Sequence, residues 1–324
     1  MSIIIPIGDS SMVNIDGTHQ IFTYVNQFLK EWGKEPMFNI QLVGLNKEIQ
    51  QGRGLFKVIP DAVYTEVPQS DIVIIPAIFG NPVEAFENNK ELIPWILKQH
   101  AGGAEIVTYC VGAFFLAKTG LLDGKQAATH WTAATDFRNM FPQVDLVDDK
   151  ILTAEDGVYT SGGAYSYLNL ILYLIEKHVG RDMAILISKT FMIDIDKHSQ
   201  SPFIIFQGQK THEDESVKKA QEYIEQNYTE KISVNEIAER FALGRRSLER
   251  RFKKATSNTV SEYIHRVKVE AAKKSLELGK ANVNEVMYDV GYSDTKAFRN
   301  MFKKITGLTP AEYKSRYQKE LAVA

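Results

Sequence analysis

Over the first 200 residues, short all-apolar runs alternate with longer stretches in which apolar positions recur every three to four residues. Ile3-Ile4-Ile5 and Ile72-Val73-Ile74-Ile75 are of the first kind. A run that is apolar on both faces suits a parallel strand covered by helices on either side. The pattern predicts strands over 3–7, 38–43, 71–79 and 105–109, and further strands near 126–130, Leu146 and Val158. It predicts helices over 17–32, 82–100, 112–119, 132–140, 165–178 and 182–194. Strands that alternate with helices in this way specify an α/β domain with a mostly parallel sheet. From Ser199 to Glu215 the chain is polar and has no clear period. The expected division is therefore a first domain over 1–200, a linker over 201–215 and a second domain over 216–324.

Beyond Ser216 the strand pattern stops, and one helical pattern is written twice about 50 residues apart. The first copy runs from Val234-Asn235-Glu236-Ile237 through Ala242-Leu243-Gly244 to Arg250-Arg251-Phe252-Lys253-Lys254. The second runs from Val283-Asn284-Glu285-Val286 through Gly291 to Asn300-Met301-Phe302-Lys303-Lys304. Each reads as helix, tight turn, helix, which is the helix-turn-helix pattern. Leu248 and Phe252 turn inward in one copy, and Phe298 and Phe302 in the other, with Ser293 or Asp294 as the cap. The outer faces then present Arg245, Arg246, Ser247, Glu249 and Arg250, and Thr295, Lys296, Arg299 and Asn300. These are side chains that read base edges in a major groove. Lys253, Lys254, Lys303 and Lys304 stand at the helix ends, where phosphates would lie. A solvated basic face on a small helical bundle explains one such helix; two matched copies favour DNA. Val260 to Leu278 reads as one connecting helix of about 19 residues, about 28 Å long at 1.5 Å per residue. Successive major grooves on one side of DNA lie about 34 Å apart, so one chain could serve two adjacent grooves of double-stranded DNA.

Charge sharpens this division. The whole chain carries a net charge of −2, but residues 211–324 hold 22 Lys+Arg against 17 Asp+Glu, while residues 1–210 hold 16 against 23. The second part is thus +5 and the first −7, which fits nucleic-acid binding by one end only. The single cysteine excludes an intrachain disulfide and agrees with a reducing, cytoplasmic location. The N-terminal residues lack the charge pattern of a signal peptide, and no apolar run approaches the 18 residues of a membrane span. The histidines lack ligand spacing and no glycine-rich phosphate loop occurs, so neither a metal nor a cofactor is expected.

The lone cysteine, Cys110, follows an apolar strand, and Gly112 opens a helix. A nucleophile elbow has this strand, sharp turn, helix arrangement. A helix N-terminus there would lower the thiol pKa. A buried Cys acting as a small hydrophobe is the alternative. Asp16 and His130 are the candidate neighbours for the thiol.

Two resemblances run along the chain. Ile237-Ala238, Leu248 to Phe252, Gly291-Tyr292-Ser293-Asp294, Phe298, Phe302-Lys303-Lys304 and Thr306-Gly307-Leu308-Thr309-Pro310 with Tyr313 resemble the AraC/XylS DNA-binding domain. Asn300 stands where that family often has Arg, and Gly244 where it often has a Ser cap. Tyr109 to Phe114, Gly120-Leu121-Leu122-Asp123-Gly124, Thr129-His130-Trp131 and Thr160-Ser161-Gly162-Gly163 resemble the PfpI/ThiJ branch of the class I glutamine amidotransferase-like proteins. The combination implies a flavodoxin-like sensor domain fused to an all-α domain with two helix-turn-helix motifs. It also implies a transcription regulator that binds a small molecule, forms a homodimer and admits RNA polymerase as a partner. The catalytic equipment of the hydrolytic relatives is incomplete. Val111 follows the cysteine where some have His, Asn14 aligns with a catalytic Asp of related hydratases, and Asn169 stands where relatives often have Asp. A cysteine nucleophile needs a base or a lowered pKa. The chain is therefore read as a non-enzyme, with an amidase- or hydratase-like enzyme and a Cys110 redox sensor as alternatives.

Overall fold

The computed structural model describes residues 1–279 and 281–318. The chain divides into two compact units, Met1–Gln200 and Ser201–Ala324.

In the first unit the elements run β1 (Ser2–Ile5), α1 (Met12–Glu31), β2 (Gln41–Gly44), a hairpin of β3 (Ile49–Gln51) and β4 (Phe56–Val58), β5 (Ala62–Val63) and β6 (Ile72–Ile75). They continue with α2 (Pro82–Asn88), α3 (Leu92–Ala101), β7 (Glu105–Tyr109), α4 (Gly112–Lys118), β8 (Gln126–Ala127), α5 (Ala134–Met140) and β9 (Asp145–Leu146). The unit closes with β10 (Leu152–Glu155), β11 (Val158–Ser161), α6 (Tyr167–His178) and α7 (Arg181–Thr190). Seven strands form one sheet in the order β10-β11-β7-β6-β1-β2-β5. All its pairings are parallel except that of edge strand β10 with β11.

The all-apolar strands are buried on both faces, as their composition requires. Val73 and Ile75 of β6 enter one core with Ile4 and Ile106, beside Phe86, Ile96, Phe115 and Phe137 of the helices on that face. Ile72 and Ile74 enter the other core with Ile3, Ile5 and Val107, beside Phe22, Val25, Leu170 and Ile187. Successive side chains of a strand point to opposite faces, so four consecutive apolar residues supply both cores.

Several boundaries differ from the sequence pattern. The first helix starts at Met12, five residues earlier than expected, because the Ser11 side chain caps it by accepting the Asn14 N–H. The stretch expected as one helix over 82–100 is two helices. Its break is Asn89, which is fully buried and accepts the Ile7 N–H at 2.7 Å while donating to the Ile7 carbonyl at 2.8 Å. A side chain that satisfies a distant backbone segment competes with continuation of its own helix. The strand expected near 126–130 is only Gln126–Ala127 and pairs with Asp145–Leu146 outside the main sheet. The hairpin over 49–58 and the antiparallel strand β10 were not expected.

In the second unit the helices are α8 (Glu215–Gln226), α9 (Val234–Arg240), α10 (Arg245–Thr256), α11 (Val260–Leu278), α12 (Val283–Asp289), α13 (Thr295–Thr306) and α14 (Pro310–Tyr317). They surround two cores. Val217, Ile237, Leu248 and Phe252 pack with Tyr263 and Ile264 from the first half of α11. Val286, Phe298, Phe302 and Tyr313 pack with Val269, Ala272 and Leu276 from its second half. The 19-residue connecting helix thus belongs to both motifs. The segment 201–215, expected as a linker, is fastened to this unit over part of its length. Phe206 donates its N–H to Glu270 and sets its ring edge-on to Tyr263, and Lys273 donates to the Ile204 carbonyl.

Candidate nucleic-acid interface and cysteine elbow

The duplication seen in the sequence extends to the local chemistry of the second unit. Ser233 and Glu236 form a capping box at the start of α9, and Asn282 and Glu285 form one at the start of α12. Thr259 with Glu262 and Thr309 with Glu312 repeat the same box at the starts of α11 and α14. In each box the side chains satisfy two backbone N–H groups that the helix leaves open. Between the boxes lie α10 and α13, both of 12 residues. Both end in a left-handed residue, Ser257 in the first and Gly307 in the second. Their caps differ: Asp294 accepts the Ala297 N–H at 2.7 Å, whereas Gly244 offers no side chain.

The outward faces separate into tied and untied side chains. Arg245 reaches Glu249 at 3.2 Å and Asn235 at 3.3 Å. Lys253 donates to the Ser257 carbonyl at 2.8 Å, closing the end of its own helix. Arg251 lies on the same helix but turns away to a two-bond pair with Asp214, at 2.6 and 2.8 Å. Arg246, Arg250 and Lys254 on α10 are exposed, as are Lys296, Arg299, Asn300, Lys303 and Lys304 on α13. None of these eight has a side-chain hydrogen bond or ion pair among the described residues. Positions 246 and 250, and positions 296, 299, 300 and 303, each fall on one face at 3.6 residues per turn. Thr295 is exposed on α13, and Ser247 is half-buried on α10. The structure therefore brings the expected contact residues together on two matching helices, with Arg245, Glu249 and Lys253 partly engaged in holding the first.

In the first unit Cys110 sits between β7 and α4 with a φ of +55°. Non-glycine residues rarely adopt this left-handed backbone, and holding one there costs about 1–3 kcal/mol. The surroundings enforce it. The Cys110 N–H donates to the Ser161 carbonyl at 2.9 Å, and its carbonyl accepts from the Thr129 hydroxyl at 2.9 Å. Gly112 is required because a Cβ there would lie 2.4 Å from the Pro76 carbonyl oxygen. The elbow geometry read from the sequence is present.

The chemistry expected at that elbow differs. Cys110 is only 5% exposed, and burial pushes its thiol up to about 11, more than the Val111 N–H lowers it. The expectation that the helix start would lower the thiol pKa is thus overturned by desolvation of the charged form. Asp16 is exposed on α1 and accepts from Gln20 at 2.9 Å. His130 is half-buried, accepts the Thr132 N–H on its Nδ1 and stacks on Trp131. Burial lowers its pKa, favouring neutral imidazole. Neither makes a hydrogen bond to the thiol among the described residues. Buried Asn14 instead braces this end of the sheet, accepting the Ala77 N–H at 3.3 Å. Gln200 is a residue the sequence reading missed. It is buried and donates to the Thr129 and Lys150 carbonyls, and its Oε1 has no partner. Its position inside a polar, aperiodic stretch gave no signal of this burial.

Beside the elbow a cleft of about 210 Å³ is lined by Ile78, Phe79, Phe86, Val111 and Phe114, with Asp136 as its one charged wall. Among the described residues, no group of three or more His, Cys, Asp or Glu is placed to hold a metal ion. No described helix is long and apolar enough to cross a membrane.

Comparison with known proteins places both units. The DJ-1/PfpI family matches residues 18–177, and a helix-turn-helix domain family matches residues 237–316. The HTH-type transcriptional regulator GbdR of Pseudomonas aeruginosa is 25% identical, over 79% of this chain and 69% of its own length. A crystal structure of a Vibrio parahaemolyticus protein assigned to the transcriptional regulators superposes with a TM-score of 0.52 at 27% identity. It covers 60% of this chain and 97% of that one. The isonitrile hydratase of Pseudomonas putida is 27% identical over 40% of this chain and 54% of its own length.

Proposed function

Because the chain is an AraC-type DNA-binding transcription regulator carrying a DJ-1/PfpI domain, we propose that α10 and α13 enter adjacent major grooves of one duplex while the first unit senses a small, mainly apolar molecule. One observation carries the DNA reading. Two 12-residue helices, related by the internal repeat, each turn outward a set of cations that have no ion pair among the described residues. Arg246 and Arg299 are the base-reading candidates, and Lys254, Lys303 and Lys304 the phosphate contacts. Arg246→Ala and Arg299→Ala should each weaken binding about 10- to 100-fold and relax base preference at separate positions, about one helical turn apart. Selection from random duplexes, repeated with each variant, checks this. Unchanged base preference in both variants would rule out the assigned contacts.

For the first unit, the cleft beside Val111 supports sensing. Its volume lies below the ~300–1,000 Å³ of sites for drug-sized ligands, so its occupant would be a small metabolite. Such a ligand switches the chain only through unequal affinity for two states of it. The likeness to isonitrile hydratase favours a second reading, chemistry at Cys110. A thiol held near 11, without a hydrogen-bonded base among the described residues, counts against it. Turnover of an isonitrile or amide that disappears in Cys110→Ala would favour the enzyme instead. A homodimer formed through the first unit, acting in a reducing cytosol, completes the proposal.

A further inference from the structure

Lys268 lies in the middle of the connecting helix α11 and is 5% exposed. A buried ammonium ordinarily pairs with a carboxylate. Lys268 has no such partner among the described residues. Its Nζ donates instead to two backbone carbonyls, those of Glu230 at 3.1 Å and Val290 at 2.9 Å, and stands 5.5 Å over the Tyr292 ring. These two carbonyls belong to different motifs. Glu230 lies in the segment leading into α9, just before its Ser233 cap. Val290 is the C-cap of α12, in the turn that leads into α13.

The same place is closed by a backbone contact. Gly291 has a φ of +75°, and a Cβ there would lie 2.0 Å from the Thr229 carbonyl oxygen and 2.7 Å from Lys268 Nζ. The turn of the second motif thus rests directly on the loop that enters the first. His265, one turn earlier on α11, adds a 2.7 Å hydrogen bond to the Tyr292 hydroxyl. A cation also suits the Val290 carbonyl, because the C-terminal end of a helix carries partial negative charge. Burial lowers the Lys268 pKa, while the two carbonyls favour the ammonium form, whose N–H groups make the stronger, charge-assisted hydrogen bonds.

We propose that Lys268 is a positioning residue for DNA recognition: by joining the entry of the first motif, the connecting helix and the turn of the second, it fixes the spacing between the two recognition helices. This rests on the reading that both helices enter DNA. Binding by the second helix is then an intramolecular event, whose effective concentration depends on the stiffness of the joint. A stiff joint accepts one separation of half-sites. A slack one accepts several, and binds its best separation less tightly.

The test uses the full-length chain and the duplex that it selects from random DNA. A series is made in which the two half-sites are moved apart or together by one and two base pairs. Each base pair adds about 3.4 Å and about 35° of rotation. Affinity is measured for wild type, Lys268→Met and Lys268→Gln, at a temperature where circular dichroism shows full helix content. The wild type should lose about 10-fold or more for one inserted base pair. Lys268→Met should lose less than about threefold, with binding to a single half-site unchanged within about twofold. Lys268→Gln, which keeps an amide donor for one carbonyl, should fall between them. A Lys268→Met profile as sharp as the wild type's would overturn the proposal. If Lys268→Met does not fold, a wild-type-sharp profile in Lys268→Gln would overturn it equally. A wild type insensitive to spacing would instead remove the two-groove reading, and the proposal with it.

Discussion

At the residue scale, Cys110 is governed by opposing influences. The backbone turn presents it at the end of β7, and the Val111 N–H favours its thiolate, but burial outweighs that and holds the thiol near 11. Alkylation of the folded protein should therefore be slow at pH 7–8 and rise with a midpoint near 11, well above the ~8.5 of a free cysteine. A midpoint below 8 in an alkylation rate series would contradict the assignment. The sign for stability follows from the raised folded value. The native state holds this proton more tightly than the unfolded chain, so the contribution is complete below about pH 8.5 and is lost as pH rises towards about 11. Urea titrations of wild type and Cys110→Ser across that range should diverge, with the wild type losing more stability. The elbow itself was legible in the sequence, because an apolar strand runs directly into Cys110 and a helix that Gly112 opens. Its neighbours were not legible. Asn14 and Asp16 are two positions apart on what proved to be a helix, about 200° around its axis, so only one can face the sheet. The buried one is Asn14, which bonds the backbone.

At the element scale, α10 and α13 are copies with different starts. Gly244 leaves the first turn of α10 without a side-chain cap, at an ordinary extended φ of −66° and with open space around it. Gly244→Ser should stabilise this unit by a few tenths of a kcal/mol. Asp294→Ala, which removes the cap of α13, should cost about 1 kcal/mol. Thermal unfolding of the two variants checks the pair; equal shifts would contradict the difference in capping. The helical elements were well legible here, since caps, Gly turns and inward Phe residues are local signals that recur in both copies. The connecting helix runs from Val260 to Leu278 as its periodicity predicts. Where long-range bonds decide, the pattern failed. Asn89 ends a helix by bonding Ile7, 82 positions earlier, and no local rule announces that. The fastening of the interdomain segment through Phe206 and Lys273 was hidden for the same reason.

At the scale of the whole molecule, charge and structure divide the work. The first 210 residues are acidic, and residues 1–200 form an α/β unit with an apolar cleft beside a shielded thiol. The remainder is only modestly basic, so affinity for DNA must come from placed side chains and not from bulk charge. Among the described residues, Arg246, Arg250, Lys254, Lys296, Arg299, Lys303 and Lys304 are the cations of α10 and α13 left exposed without an ion pair. If all of them neutralised phosphates, the slope of log K against log salt would reach about −6, and each one that reads a base instead would lower its magnitude by about 1. The most direct measurement is the affinity of the full-length chain for its selected duplex as a function of salt, repeated with Lys254→Ala and Lys304→Ala. A slope of about −4 to −6, reduced by about 1 in each variant while base preference is kept, is the expected result. A flat salt dependence, or a slope unchanged in both variants, would contradict DNA binding by these two helices.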